Sequence, residues 1–271
     1  QLNKENIYSI SISNNQLLLE MINRVENNIP SSIIRKSDGE NVIIGYKNIK
    51  GIKLRKYLKK LRHFNISYFN FSFQKFFRKE LINSFYDADY IGVPIKYFYY
   101  GYTSSVRKFE PKITNYFSFN KEKYVDNHFQ LEFIKLPNKN KLKNPIAEKL
   151  ITNKKIGLIT HFNLNDFFLK FNSKVLYQKS IPKRDLRKFN LKMSIDKYND
   201  IINFIKLNAN KVDIWFLAAG AYAKPFSKYI KKYNGVAVDL GSVIDTWADE
   251  FHSRKFLRNQ EWKKNEKKQS Y

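Results

Sequence analysis

The chain contains no cysteine, which excludes both a disulfide framework and a thiolate metal site. That absence fits a reducing compartment, and a cytoplasmic protein is expected. No segment reaches the ~18 consecutive apolar residues of a membrane-spanning helix. The opening residues, Gln1 to Asn6, lack the apolar core of a signal peptide, and the expectation is that a few native residues precede Gln1. Glycine is scarce, at 9 residues, and no Gly-x-Gly-x-x-Gly motif occurs, so a dinucleotide fold is not indicated. The 4 histidines, His63, His128, His161 and His252, form no metal-ligand spacing. Only His161 falls at an expected strand end.

Acidic residues are also few. Against 24 Asp and Glu stand 50 Lys and Arg, a net charge of +26. Such a field draws polyanions: nucleic acid, anionic lipid or phosphorylated sugars. A coding bias toward Lys, Asn, Ile, Tyr and Phe gives the same balance without any partner. The segment Lys47–Arg62 carries 8 basic residues and no acid, a pattern shared by ordinary surface helices and by helices that lie on anionic membrane.

What is present suits a folded domain. Hydrophobic residues make up 43% of 271, enough for a core in one large α/β domain with a modest insertion. Leu18, Met21, Ile22 and Val25 predict a helix over 15–28, with Asn14 as N-cap and Pro30 beyond its end. A short strand, Ser31–Lys36, then runs into a Ser37-Asp38-Gly39-Glu40 turn. Helices are expected over Ile52–Arg62, with Leu54, Leu58 and Leu61 on one face, and around Phe77, Leu81 and Phe85. Tyr90–Val93 reads as a strand. The stretch 95–145 shows no period and is expected to be an irregular aromatic and basic insertion, on the acceptor side of a site.

The second half alternates more plainly. Strands are expected at Lys155–Thr160, Lys174–Tyr177, Val212–Ala218 and Gly235–Leu240. Helices are expected at Asn165–Phe171, around Ile195, Tyr198, Ile202 and Ile205, at Gly220–Lys232 and from Ser242 to Glu250. This alternation predicts a Rossmann-like, mostly parallel sheet flanked by helices, one domain over 1–251. A basic tail, 252–271, follows.

Three places carry candidate chemistry. Asp38 and Glu40 flank Gly39 just past a strand, where two carboxylates can hold Mn²⁺ or Mg²⁺ against the phosphates of a nucleotide-sugar. A solvated turn is the plainer reading of the same residues. Gly220 opens a helix whose free N–H groups can bind phosphate, or simply allows close strand–helix packing. Asp239 ends a strand and is a candidate ligand or base, whereas Asp245 also suits a helix start.

In order along the chain, these residues resemble the GT-D glycosyltransferases. The matching segments are Arg35-x-Ser37-Asp38-Gly39-Glu40, Ala88-Asp89-Tyr90-Ile91-Gly92-Val93-Pro94, Asn165-Asp166-Phe167-Phe168 and Ser194-Ile195-Asp196-Lys197-Tyr198. Leu217 to Lys224 is similar to the family's Leu-Gly-Pro-Thr-Ala-x-x-Leu turn. Val238-Asp239-Leu240-Gly241-Ser242 is similar to its Asp-Ile-Gly-His signature. The resemblance implies a transferase using a nucleotide-sugar donor, a UDP-sugar as first expectation, and a divalent cation at Asp38 and Glu40. It implies donor-site roles for Arg35, Gly39, Asn165, Asp166, Gly220, Ala221, Gly241 and Ser242, and an acceptor that is a glycan, glycolipid or glycoprotein. Ser242 stands where the family has His, which leaves a degenerate, binding-only transferase fold as an alternative. A basic nucleic-acid-binding protein is the other, although no ordered recognition motif supports it.

Overall fold

The computed structural model describes residues 10–94, 104–136, 141–181 and 193–248. The basic tail, 252–271, lies outside them.

Helix α1 (Asn14–Glu26) starts from a capping box. The Ser13 hydroxyl accepts from the Gln16 amide and the Gln16 side chain accepts from the Ser13 amide. Ser13, not Asn14, is therefore the N-cap. Strand β1 (Ser31–Arg35) follows Pro30 and is buried throughout. Asp38-Gly39-Glu40, expected as a turn, forms instead the first turn of helix α2 (Asp38–Gly45). The apolar residues that follow, Val42, Ile43 and Ile44, are all buried, and their packing fixes this turn as helix rather than loop.

Helix α3 (Leu54–His63) buries Tyr57 and Leu61, but Leu54, expected on the same inward face, is 55% exposed. Helix α4 (Phe71–Asp87) buries Phe73, Phe77, Leu81 and Phe85, a stripe with helical spacing. Strand β2 (Tyr90–Val93) comes next. The stretch expected to be irregular contains helix α5 (Ser104–Phe117) and strand β3 (Tyr124–Asp126), the latter paired with β2 at the sheet edge. A 3-10 segment (Asn127–Phe133) and helix α6 (Pro145–Lys149) complete it.

The second half runs β4 (Lys155–Ile159), α7 (Asn165–Leu169), β5 (Lys174–Lys179), α8 (Ile195–Asn208), β6 (Ile214–Leu217), α9 (Ala223–Lys232), β7 (Val236–Asp239) and α10 (Ile244–Trp247). On α8 the buried face is Tyr198, Ile201 and Ile205, while Ile195 is exposed at the helix start. Two 3-10 turns, Gly220–Tyr222 and Gly241–Val243, link β6 to α9 and β7 to α10.

Among the described residues, seven strands form one parallel sheet in the order β3-β2-β1-β7-β6-β4-β5. Alternation along each strand feeds two cores. Ile34, Trp215, Leu217 and Ala237 pack under α2, α4, α8 and α9. Ile33, Ile214, Phe216, Val236 and Val238 pack with α1, α7 and α10 on the other face. The connections leaving β1 and β6 lie on the first face, and those leaving β4 and β7 on the second. Neighbouring strands thus send their chains to opposite sides, which opens crevices at the carboxyl ends of β1, β7, β6 and β4. Among the described residues, no helix is long and apolar enough to cross a membrane.

Candidate active site

Four charged side chains meet at that carboxyl edge. Arg35 ends β1 and Asp239 ends β7, one strand away. The Arg35 Nε donates to the Asp239 carbonyl oxygen at 3.0 Å, and a terminal guanidinium nitrogen lies 3.4 Å from Asp239 Oδ1. Lys224, on the first turn of α9, brings its Nζ to 2.9 Å from Asp239 Oδ2 and 2.6 Å from Glu40 Oε1. Glu40 comes from α2, and its other oxygen accepts from the Ser37 hydroxyl at 2.5 Å. Ser37, the N-cap of α2, spends its hydroxyl on Glu40 and makes no side-chain cap to the backbone.

All four side chains are buried. Arg35 is 8% exposed, Glu40 and Lys224 are 2% exposed, and Asp239 is fully enclosed. Among the described side chains two acids face two bases, so these four charges balance, which is what burial of charge requires. Burial by itself would raise the Glu40 carboxyl. The Lys224 ammonium, the Ser37 hydroxyl and the backbone outweigh it and hold the group at about 2. Asp239 Oδ2 makes no aligned hydrogen bond and faces the Lys224 ammonium, while Oδ1 faces Arg35.

The glycines expected at the site have specific reasons to be glycine. Gly241 has φ +52, and any Cβ there would overlap the Arg35 guanidinium. Gly39 leaves its Cβ position to the ring of Phe64. Gly220 has φ +57, and its carbonyl accepts from Lys224 Nζ at 3.2 Å. Tyr222 donates its hydroxyl to the Phe64 carbonyl at 2.9 Å, joining the 3-10 turn after β6 to the end of α3. Beside these turns lies a cavity of about 180 Å³, lined by His63, Phe64, His161, Met193, Ala219 and Tyr222 among others.

The sequence profile of the GT-D fold-like domain matches residues 12–247. The chain belongs to this family. Among curated proteins, none matches it. A solved structure from Streptococcus sanguinis, described as a new glycosyltransferase of the domain of unknown function 1792, is similar over 89% of this chain and 83% of its own, with 14% identity and a TM-score of 0.53. A second, described as a domain of unknown function 1792 with a distinct glycosyltransferase fold, covers 85% of this chain and 78% of its own, with 18% identity and a TM-score of 0.49. At 14% identity the likeness to the Streptococcus sanguinis structure is one of fold.

In this GT-D-like chain the expected residues divide into three groups. Arg35, Glu40 and Asp239 are brought together, with Gly241 and Gly220 shaping the turns around them. Asn165 and Asp166 are exposed on the first turn of α7, outside the four-charge cluster. Ala221 is buried in the core beneath the 3-10 turn, and Ser242 is half-buried after Gly241. The Asp38 side chain lies outside the described residues.

A divalent ion was expected at Asp38 and Glu40. Among the described residues, no three His, Asp or Glu side chains gather into a ligand set. With the Asp38 side chain outside the described residues, that pair is not placed; what is placed is an ammonium touching both Glu40 and Asp239. Two unit charges 4 Å apart repel by about 4 kcal/mol at an effective dielectric of 20, and a dication doubles that. Glu40 and Asp239, paired as they are, do not fit a metal ion.

Lys224 is the residue that sequence reasoning missed. It stands where the family turn has Leu, and α9 holds Lys228, Lys231 and Lys232 as well. One buried lysine among four is not distinguishable by composition. Its position beside the buried strand end was the available signal.

Proposed function

We propose that the chain is a glycosyltransferase that moves a sugar from a nucleotide-sugar donor to a hydroxyl of a glycan or lipid-linked acceptor. The observation that carries this reading is the buried Arg35–Asp239–Lys224–Glu40 cluster at the carboxyl edge of a GT-D-like sheet. Ligands of open α/β sheets bind in that crevice.

In this reading the donor diphosphate lies across the 3-10 turns at Gly220–Tyr222 and Gly241–Val243. Backbone N–H groups there oppose the charge that grows on the leaving diphosphate as the glycosidic bond breaks. Asp239, enclosed between two cations, suits holding Arg35 and Lys224 in place. The adjacent cavity, largely apolar and flanked by His161, suits a sugar or base ring. A lipid-linked acceptor would bring the basic α3, with Leu54 exposed, against an anionic surface.

The test is a thermal-shift screen of nucleotide-sugars, followed by mass-spectrometric detection of released nucleoside diphosphate. One donor class should raise Tm and be slowly hydrolysed. Tight, salt-sensitive oligonucleotide binding with no response to any nucleotide-sugar would contradict the reading.

A further inference from the structure

We propose that Lys224 is the resident cation of this site: its ammonium joins Glu40 and Asp239 where a divalent ion would otherwise neutralise them, so donor binding needs no added metal. This rests on the glycosyltransferase reading of the site.

Three observations support it. The Nζ lies 2.6 Å from one carboxylate and 2.9 Å from the other, with the Gly220 carbonyl at 3.2 Å as a third oxygen partner. Three oxygens from three different elements thus surround one nitrogen, as they would surround a metal. Second, Lys224 is 2% exposed, so the ammonium is a fixed part of the site and not a surface group that swings in and out. Third, the remaining Glu40 oxygen is held by Ser37, and Asp239 Oδ1 faces Arg35, so the inner charges are already matched. A flexible point charge with three donors is well suited to such a mixed oxygen shell.

Lys224 is thereby a positioning residue. It fixes α9 and the Gly220 turn against β7 and α2 without touching the reacting atoms. Removing its charge should convert the site. Lys224→Met keeps much of the apolar length but leaves Glu40 and Asp239 facing each other, with Asp239 Oδ2 wholly unmet. Two carboxylates and a carbonyl then make an oxygen set for a hard divalent cation.

The experiment measures Mn²⁺ binding by electron paramagnetic resonance, and uridine and guanosine diphosphate binding by calorimetry, in EDTA and in MnCl₂. Wild type should bind no stoichiometric Mn²⁺, and its nucleotide affinity should be the same in both buffers. Lys224→Met should gain a Mn²⁺ site that a second change, Glu40→Gln, removes, and its nucleotide affinity should become metal-dependent by about tenfold. Lys224→Arg, which keeps the positive charge, should gain no Mn²⁺ site. Stoichiometric Mn²⁺ on wild type, with nucleotide affinity falling about tenfold in EDTA, would overturn the proposal. That arm needs no variant, so a Lys224→Met chain that fails to fold does not remove the test. Absence of any nucleotide binding to wild type in either buffer would count against the transferase reading, while the Mn²⁺ result still decides the role of Lys224.

Discussion

Gly241 yields the space of a side chain to Arg35: the guanidinium occupies the position where a Cβ at 241 would be. The backbone there is left-handed, at φ +52, so a substitution meets both strain and overlap. Gly241→Ala should cost about 1–3 kcal/mol of stability, read from urea unfolding. Because Arg35 must shift to relieve the clash, nucleotide-sugar binding should weaken by more than the stability loss explains. An unchanged midpoint would show that the guanidinium is not held against Gly241.

Glu40 makes stability depend on acid pH. Its folded value of about 2 lies below its ordinary 4.5, so the unfolded chain binds the proton first as pH falls. The stabilisation is complete above about pH 4.5 and is lost as pH drops toward 2, roughly 3 kcal/mol across that window. Glu40→Gln should be less stable near neutrality, since Lys224 loses one of its two carboxylate partners, and should lack this share of the acid slope. Equal slopes for the two proteins between pH 4.5 and 2 would refute the pairing.

Tyr222 acts at the other end of the scale. Burial pushes its hydroxyl well above 10.0, and burial together with Glu80 does the same for Tyr198. These raised values give stability that is whole below about pH 10 and is lost as pH climbs past it, because only the unfolded chain ionises there. Tyr222→Phe removes the hydrogen bond to the Phe64 carbonyl and should cost about 1–3 kcal/mol at neutral pH, leaving a buried acceptor unmet. Its stability should fall more gently above pH 10, by one proton's share, in chemical unfolding followed at several alkaline pH values.

A second buried ion pair, Lys36–Glu110 at 2.6 Å, ties α5 to the end of β1, with Thr114 accepting from the same ammonium at 2.6 Å. Asn41 also donates to Glu110. Both charged side chains are fully enclosed. Glu110→Gln strands the ammonium and should cost about 3–5 kcal/mol. Burial lowers the Lys36 value, and Glu110 partly restores it. Without Glu110 that value falls further, so the variant should recover stability as pH rises from neutrality toward about 10. A variant whose deficit is constant over that range would contradict the account.

The parallel sheet was legible because its central strands are apolar on both sides. The run around Ile214–Leu217 has no alternation to confuse it, and α4 shows its stripe at Phe77, Leu81 and Phe85. The turn read at Asp38–Glu40 is helix because Ser-Asp-Gly chemistry is local, while the burial of Val42 to Ile44 is tertiary. The stretch 95–145 concealed a 14-residue helix, whose Phe109, Ile113 and Phe117 stand at helical spacing but whose interior Pro111 argues against a helix, and a strand of only three residues. At the site, Arg35, Glu40 and Asp239 were readable as strand-end and near-strand-end charges. Their meeting through Lys224 was not, since Glu40–Lys224 and Arg35–Asp239 each join residues far apart in the chain, 204 positions in the latter pair, and no local pattern encodes such contacts.

The central claim is that this four-charge cluster organises a nucleotide-sugar site. The most direct measurement is calorimetric titration of the best donor from the screen into wild type, Arg35→Met and Asp239→Asn, each first verified as folded by circular dichroism. The account predicts one site per chain in wild type and affinity reduced by about tenfold or more in both variants. Unaltered donor affinity in two folded variants would contradict it.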